Sequence, residues 1–191
     1  MPITIQVAAI AENAYIIDQK WTVRSLKGRR IGTLNMFGCM GIVMHSPSAG
    51  IGCLAHIEAE DYATYAATFN TFIVYMIGKI RKYGGLNPTL QAALFGNFDG
   101  TRNQAFTVAI HGHLVTAGVP HDQILDQRNR EGDGPFYDAG AVARNEDRFG
   151  SITYKPAKGD GVVQVFGAFA RQPAHTSSVV DWGIRKKQLQ R

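Results

Sequence analysis

The sequence predicts an α+β fold, because β-prone runs open the chain, two helical patterns occupy its middle and β-prone runs close it. Its composition is that of one soluble globular domain over residues 1–191: 45% apolar and 18% charged, with 21 Gly, 7 Pro and 2 Cys. Disorder and collagen-like structure are excluded. A chain of this length buries about 70% of the surface it exposes when unfolded, so one core forms without disulfide or metal staples. Cys39 and Cys53 are therefore read as free thiols in a reducing compartment.

Taken in order, Ile3 to Ile10 and Ala14 to Ile17 are short β-prone runs, and Trp21 to Leu26 alternates with the period of a half-buried strand. The Lys27-Gly28-Arg29-Arg30 turn follows. Thr33 to Met36 leads into Met40 to Met44, the Ser46 to Gly50 turn and Ile51 to Ile57, which together predict a β-hairpin. Asp61 is an N-cap candidate. After it Tyr62, Ala66, Phe69, Phe72, Ile73, Met76, Ile77 and Ile80 recur at threes and fours, with a basic last turn and Gly84-Gly85 as the stop.

Thr89 to Phe95 reads as a strand ended by Gly96-Asn97, and a second helix runs from about Arg102 to Ala117 with Gly118 as its stop. Ile124 to Asp126 is a short strand. Residues 129–150 turn to Gly, Asp, Arg and Asn without periodicity, which predicts a long surface loop. Ile152 to Tyr154 and Val162 to Phe169 form a closing hairpin through Pro156 to Gly161.

Net charge is +5, with 9 basic and 6 acidic residues in 1–118 and 11 and 9 in 119–191, so the excess is spread rather than held in a basic domain. Charge alone does not make a nucleic-acid binder, and none is expected as a partner. The basic C-terminal tail of about 184–191 (Arg185, Lys186, Lys187, Arg191) reads as solvated. The longest apolar run, Phe72 to Gly78, is far short of the roughly 20 residues that cross a bilayer, so no membrane insertion is expected. Met1 to Ile17 has no basic head and contains Glu12, which predicts a cytoplasmic protein or one exported without a signal peptide.

Dinucleotide, Walker, serine-hydrolase and zinc motifs are all missing. His111-Gly112-His113 does not make a metal site, since positions i and i+2 of a helix point about 200° apart. No metal or cofactor is expected. What remains is the hairpin, where Cys39 at the start of one strand and His56 near the end of the next can face each other at a cross-strand spacing of about 5 Å. A thiol beside an imidazole is a minimal activated nucleophile: His takes the proton, the thiolate attacks a carbonyl or carboxamide carbon, and His⁺ protonates the leaving amine. Gly38 before Cys39 allows close approach of a substrate and leaves the Cys39 amide available as an oxyanion donor. Spacing alone favours a buried thiol and a structural histidine over a catalytic pair. Cys53 fits that description: it shares strand parity with Ile51, Ala55 and Ile57 and is assigned to the core, while His56 faces the other way.

At these residues the sequence resembles the bacterial chemoreceptor glutamine deamidases called CheD. Their motif is T-L-G-L-G-S-C, an apolar strand, a turn, a G-x-x-A/N-H strand, a tyrosine-containing amphipathic helix and a strand ending in Gly-Gly. Thr33 lies 6 residues before Cys39 and His56 lies 17 after it, both as in the family. The similarity extends over about residues 31–124, roughly half the chain, with Gly96-Asn97 standing for the Gly-Gly. Asn35, Phe37 and Gly38 replace Gly, Gly and Ser of the Cys loop, and Glu58-Ala59-Glu60 replaces a Leu-Pro segment.

The resemblance implies a β-sandwich-like core with flanking helices, shared with toxin deamidases such as the cytotoxic necrotizing factors. It also implies a Cys39, His56 and Thr33 triad that converts a protein glutamine to glutamate through a thioester, with Thr33 orienting His56. The substrate would be a chemoreceptor or a protein of a target cell, with a regulatory protein as a second partner. Arg29 and Arg30, 4 and 3 residues before Thr33, read as a solvated turn or as a pocket border favouring an acidic segment around the target glutamine. The alternatives are a catalytically idle partner-binding protein of the same fold, an N-terminal amidohydrolase and a transglutaminase.

Overall fold

The computed structural model describes residues 3–7, 14–17, 21–25, 29–33, 39–58, 73–84, 89–97, 101–129, 151–166 and 185–188. Its strands are β1 (Ile3–Val7), β2 (Tyr15–Ile17), β3 (Trp21–Ser25), β4 (Ile31–Thr33), β5 (Cys39–Ser46), β6 (Ile51–Glu58), β7 (Gln91–Asn97), β8 (Ile124–Asn129), β9 (Ser151–Lys155), β10 (Gly161–Phe166) and β11 (Arg185–Gln188). Helix α1 covers 73–84 and α2 covers Thr101–Thr116. The fold is α+β with two mixed sheets: a five-stranded sheet in the order β1-β10-β9-β4-β2 and a six-stranded one in the order β11-β3-β6-β5-β7-β8.

Alternation along the central strands builds two cores on the two faces of one sheet. Met40, Ile42 and Met44 of β5, Cys53, Ala55 and Ile57 of β6 and Ala92 and Leu94 of β7 pack against Ile73, Met76, Ile77 and Ile80 of α1 and Ile110 and Leu114 of α2. The residues between them, Val43, Leu54, Ala93 and Phe95, pack against Ile3, Ile17, Ile31, Ile152, Tyr154 and Val163 of the five-stranded sheet. The layers are therefore sheet, sheet and helices. Because both faces of β5, β6 and β7 are covered, their register is fixed, since a slip of one residue would exchange the two cores.

The predicted hairpin forms as β5 and β6, antiparallel, around a turn in which Gly50 adopts φ +64° and its amide donates to the Ser46 carbonyl at 2.9 Å. Gly118 ends α2 as expected. At φ +100° it allows its own amide to reach the Val115 carbonyl at 2.9 Å and the Val119 amide to reach the Leu114 carbonyl at 3.0 Å, the paired bonds of a Schellman cap. The closing hairpin is present as β9 and β10, and β10 also takes β1 as a parallel neighbour.

Three expectations change. Gly96 and Asn97 do not end β7 but belong to it, because β8 runs beside them in parallel register as far as Asn97 and Asn129. The short strand at Ile124 extends to Asn129 for the same reason. The basic tail carries a strand that was not expected: Arg185–Gln188 forms β11, antiparallel to β3, with Gln188 paired to Trp21. The N-terminal part of the first predicted helix (Asp61 to Phe72), the loop over 130–150 and Gly38 lie outside the described residues. Among the described residues no helix is long and apolar enough to cross a membrane.

Candidate active site

Strand β4 is short and fully buried, and Ile31 and Thr33 alternate onto its inner face. Its parallel partner β2 sets Ile17 level with Thr33, and the Thr33 hydroxyl donates to the Ile17 carbonyl at 3.0 Å. On the other side Thr33 Oγ1 lies 2.6 Å from His56 Nδ1. A threonine hydroxyl has one proton. With that proton committed to Ile17, the bond to the imidazole has only one direction: His56 Nδ1–H donates and Thr33 Oγ1 accepts. The network thus assigns the Nδ1–H tautomer and leaves Nε2 with its lone pair.

His56 comes from β6, on the same face as Leu54, and is 2% exposed. Burial pulls its pKa down from 6.5 to about 4, so at neutral pH the ring is uncharged. Nε2 is buried and has no hydrogen-bond partner among the described residues. The arrangement is a neutral imidazole, oriented by a hydroxyl, with a basic nitrogen available for a proton.

Cys39 opens β5, and its backbone pairs with Glu58, while His56 pairs with Gly41. The expected head-on placement of Cys39 and His56 is therefore corrected to a diagonal one. They occupy same-face positions one pair apart, where Cα separations are about 7–8 Å. The residue directly across from His56 is a glycine, so no side chain from β5 stands over the imidazole at that pair.

Cys53 lies in the helix-side core as expected, 1% exposed, with Sγ 3.7 Å from the Met76 carbonyl of α1. Arg30 departs from both of its sequence expectations. It is 6% exposed rather than solvated, and its Nη1 donates to Thr153 Oγ1 at 3.1 Å. Thr153 in turn donates to Gln164 at 3.3 Å, on the outer face of the five-stranded sheet. Ile31 and Thr33 point inward while Arg30 points outward, so the structure does not bring Arg30 to the Thr33–His56 pair. Arg29 is exposed.

A second buried histidine escaped the sequence reading. His45 of β5 is fully buried, with Nδ1 2.7 Å from Tyr154 Oη of β9. Burial lowers its pKa to about 4, against smaller opposing contributions from the Gly159 backbone and Asp160. It pairs with Gly52 on β6, and a Cβ on Gly52 would collide with the Tyr154 hydroxyl and ring. The signal was available as inward parity with Val43 opposite a glycine. His111 and His121 stack edge to face at 4.7 Å between centroids, and no group of three metal-ligating side chains occurs among the described residues.

No protein-family model matches the chain, and no curated protein matches it. Among solved structures it is similar to the crystal structure of the Bacillus licheniformis hypothetical protein YfiH, at 13% identity and a TM-score of 0.43, over 55% of this chain. The match covers 49% of YfiH, so this chain spans about half the length of that protein.

Proposed function

We propose that the protein is a cofactor-free, cysteine-dependent protein glutamine deamidase with Cys39 as nucleophile, His56 as base and Thr33 as the group that orients His56. The single observation that carries this reading is the Ile17 carbonyl, Thr33 hydroxyl, His56 Nδ1 chain, which leaves Nε2 unprotonated on the face of the hairpin where Cys39 begins β5. His45 holds its Nδ1 on the Tyr154 hydroxyl in the same way, and what sets His56 apart is that it lies at the end of the hairpin where Cys39 begins β5. The CheD-like spacing of Thr33, Cys39 and His56 supports the same assignment.

In this reading His56 Nε2 takes the Cys39 thiol proton as sulfur adds to the side-chain carboxamide carbon of a glutamine. The tetrahedral adduct collapses as Nε2–H protonates the departing nitrogen, and ammonia leaves a thioester. Water then adds, giving its proton to Nε2, and the thiol is restored as glutamate departs. Because Thr33 is neutral, it orients the ring without stabilising imidazolium as a carboxylate would. Positive charge on His56 then exists only while the substrate carries the matching negative charge. The substrate is a chemoreceptor or a target-cell protein, and a regulatory protein partner belongs to the same reading.

The test is iodoacetamide alkylation of Cys39 against pH, followed by intact mass, in wild type and His56→Ala. Cys53 lies under α1, so the fast label reports Cys39. Rapid labelling near neutral pH that collapses in the variant supports the pair and directs a search for glutamine-to-glutamate mass gains in candidate substrates. An ordinary thiol profile in both proteins removes the deamidase and leaves a partner-binding domain.

A further inference from the structure

The strand register that places Cys39 also places its neighbours, and they form a chemically ordered row. On one side β6 sets Glu58 directly across from Cys39. On the other, β5 and β7 pair as far as Met40 and Gly96, and one further step of that antiparallel register brings Asn97 level with Cys39. Beyond Asn97 the parallel β8 contributes Asn129 at the same level. All four positions share the inner-face parity of Val43, Leu54, Ala93 and Phe95. The row therefore reads carboxylate, thiol, carboxamide, carboxamide.

This order matches what a primary amide needs at a nucleophile. An ionised Glu58 offers acceptors only, suited to the amide NH₂, whereas Asn97 offers two N–H donors, suited to the carbonyl oxygen. Directly opposed positions in a sheet have Cβ atoms about 4.5–5.5 Å apart, a spacing that a carboxamide bound over Cys39 spans. Resting on the deamidase reading above, we propose that Asn97 is a carboxamide-binding residue that donates to the substrate carbonyl oxygen and to the oxyanion that replaces it, with Glu58 on the amino side. A strand residue serves this purpose better than a loop residue, since β8 pairs with Asn97 and β5 with the adjacent Gly96 and together they hold it at a fixed level. The same row disfavours the product. A glutamate carboxylate has no N–H to offer Glu58 and is repelled by it, so the pair selects amide over acid.

The experiment compares two labels on wild type, Asn97→Ala and Asn97→Asp. Iodoacetamide reads activation of the thiol. A chloromethyl ketone in which –CO–CH₂Cl replaces the –CO–NH₂ of glutamine places a carbonyl oxygen where the substrate's would lie, and the thiolate displaces chloride. Asn97→Asp keeps the side-chain shape while exchanging donors for acceptors, so it answers the question even if Asn97→Ala folds poorly. The expected result is a fall of about 10²-fold in ketone labelling with iodoacetamide labelling retained, the size seen when an oxyanion donor is removed. Ketone labelling that stays at the wild-type rate in Asn97→Asp overturns the assignment and leaves the Cys39–His56 pair standing. Slow, His56-independent alkylation of wild-type Cys39 overturns the pair and Asn97 together.

Discussion

At the scale of single residues, the Thr33 hydroxyl has one proton and two neighbours, and that arithmetic sets the chemistry of His56. Thr33→Ser keeps the arrangement, whereas Thr33→Val removes both bonds and frees the ring to take either tautomer. We expect Thr33→Val to slow His56-dependent alkylation of Cys39 by about 10²-fold, the lower range of what a positioned base contributes. Thr33→Ser should stay close to wild type. If the two variants label alike, Thr33 does not orient the base. The low pKa of His56 has its own signature: the base is lost only as pH falls through about 4, so the acid limb of the reaction lies well below the 6.5 of an ordinary imidazole. A limb near 6.5 in a pH profile of Cys39 labelling would show that the ring is solvated.

At the scale of elements, the closest fit lies where Gly52 of β6 passes Tyr154 of β9. Gly52→Ala forces the aromatic ring away from His45, and we expect a loss of about 3 kcal/mol, as for overpacking in a rigid core. Urea unfolding measures it, and a loss under 1 kcal/mol would mean that β9 yields easily. Local chemistry made the β5–β6 hairpin, the opposite parities of Cys53 and His56, and the Gly118 cap legible in the sequence. Long-range pairing did not show there. The diagonal offset of Cys39 from His56 depends on register across the hairpin, His45 and Tyr154 meet across 109 residues, and β11 joins β3 from the far end of the chain. For that last element, removing residues 185–191 should leave the β3 amides (Trp21–Ser25) exchanging with solvent deuterium markedly faster, because β11 takes half of their ladder. Unchanged protection would show that β3 does not depend on it.

At the scale of the whole molecule, two histidines are buried uncharged between the sheets, His45 and His56. Each binds its proton near 6.5 when unfolded and only near 4 when folded, so between those values the unfolded chain holds more protons and stability falls as pH falls. At pH 5 the loss relative to pH 7 should be roughly 2 kcal/mol for each ring, and none of it should appear above pH 7. Urea midpoints at the two pH values measure this, and a flat profile would contradict the burial of both rings. The thiol under α1 extends the account from energy to time. Cys53 is sealed by the helical layer while sharing β6 with His56, so a thiol reagent reaches it only when that layer lifts from the sheet. Its slow modification is a built-in clock for that opening, readable in the same mass spectrum that reports Cys39, and the ratio of the two rates separates loosening of the scaffold from loss of chemistry in any variant.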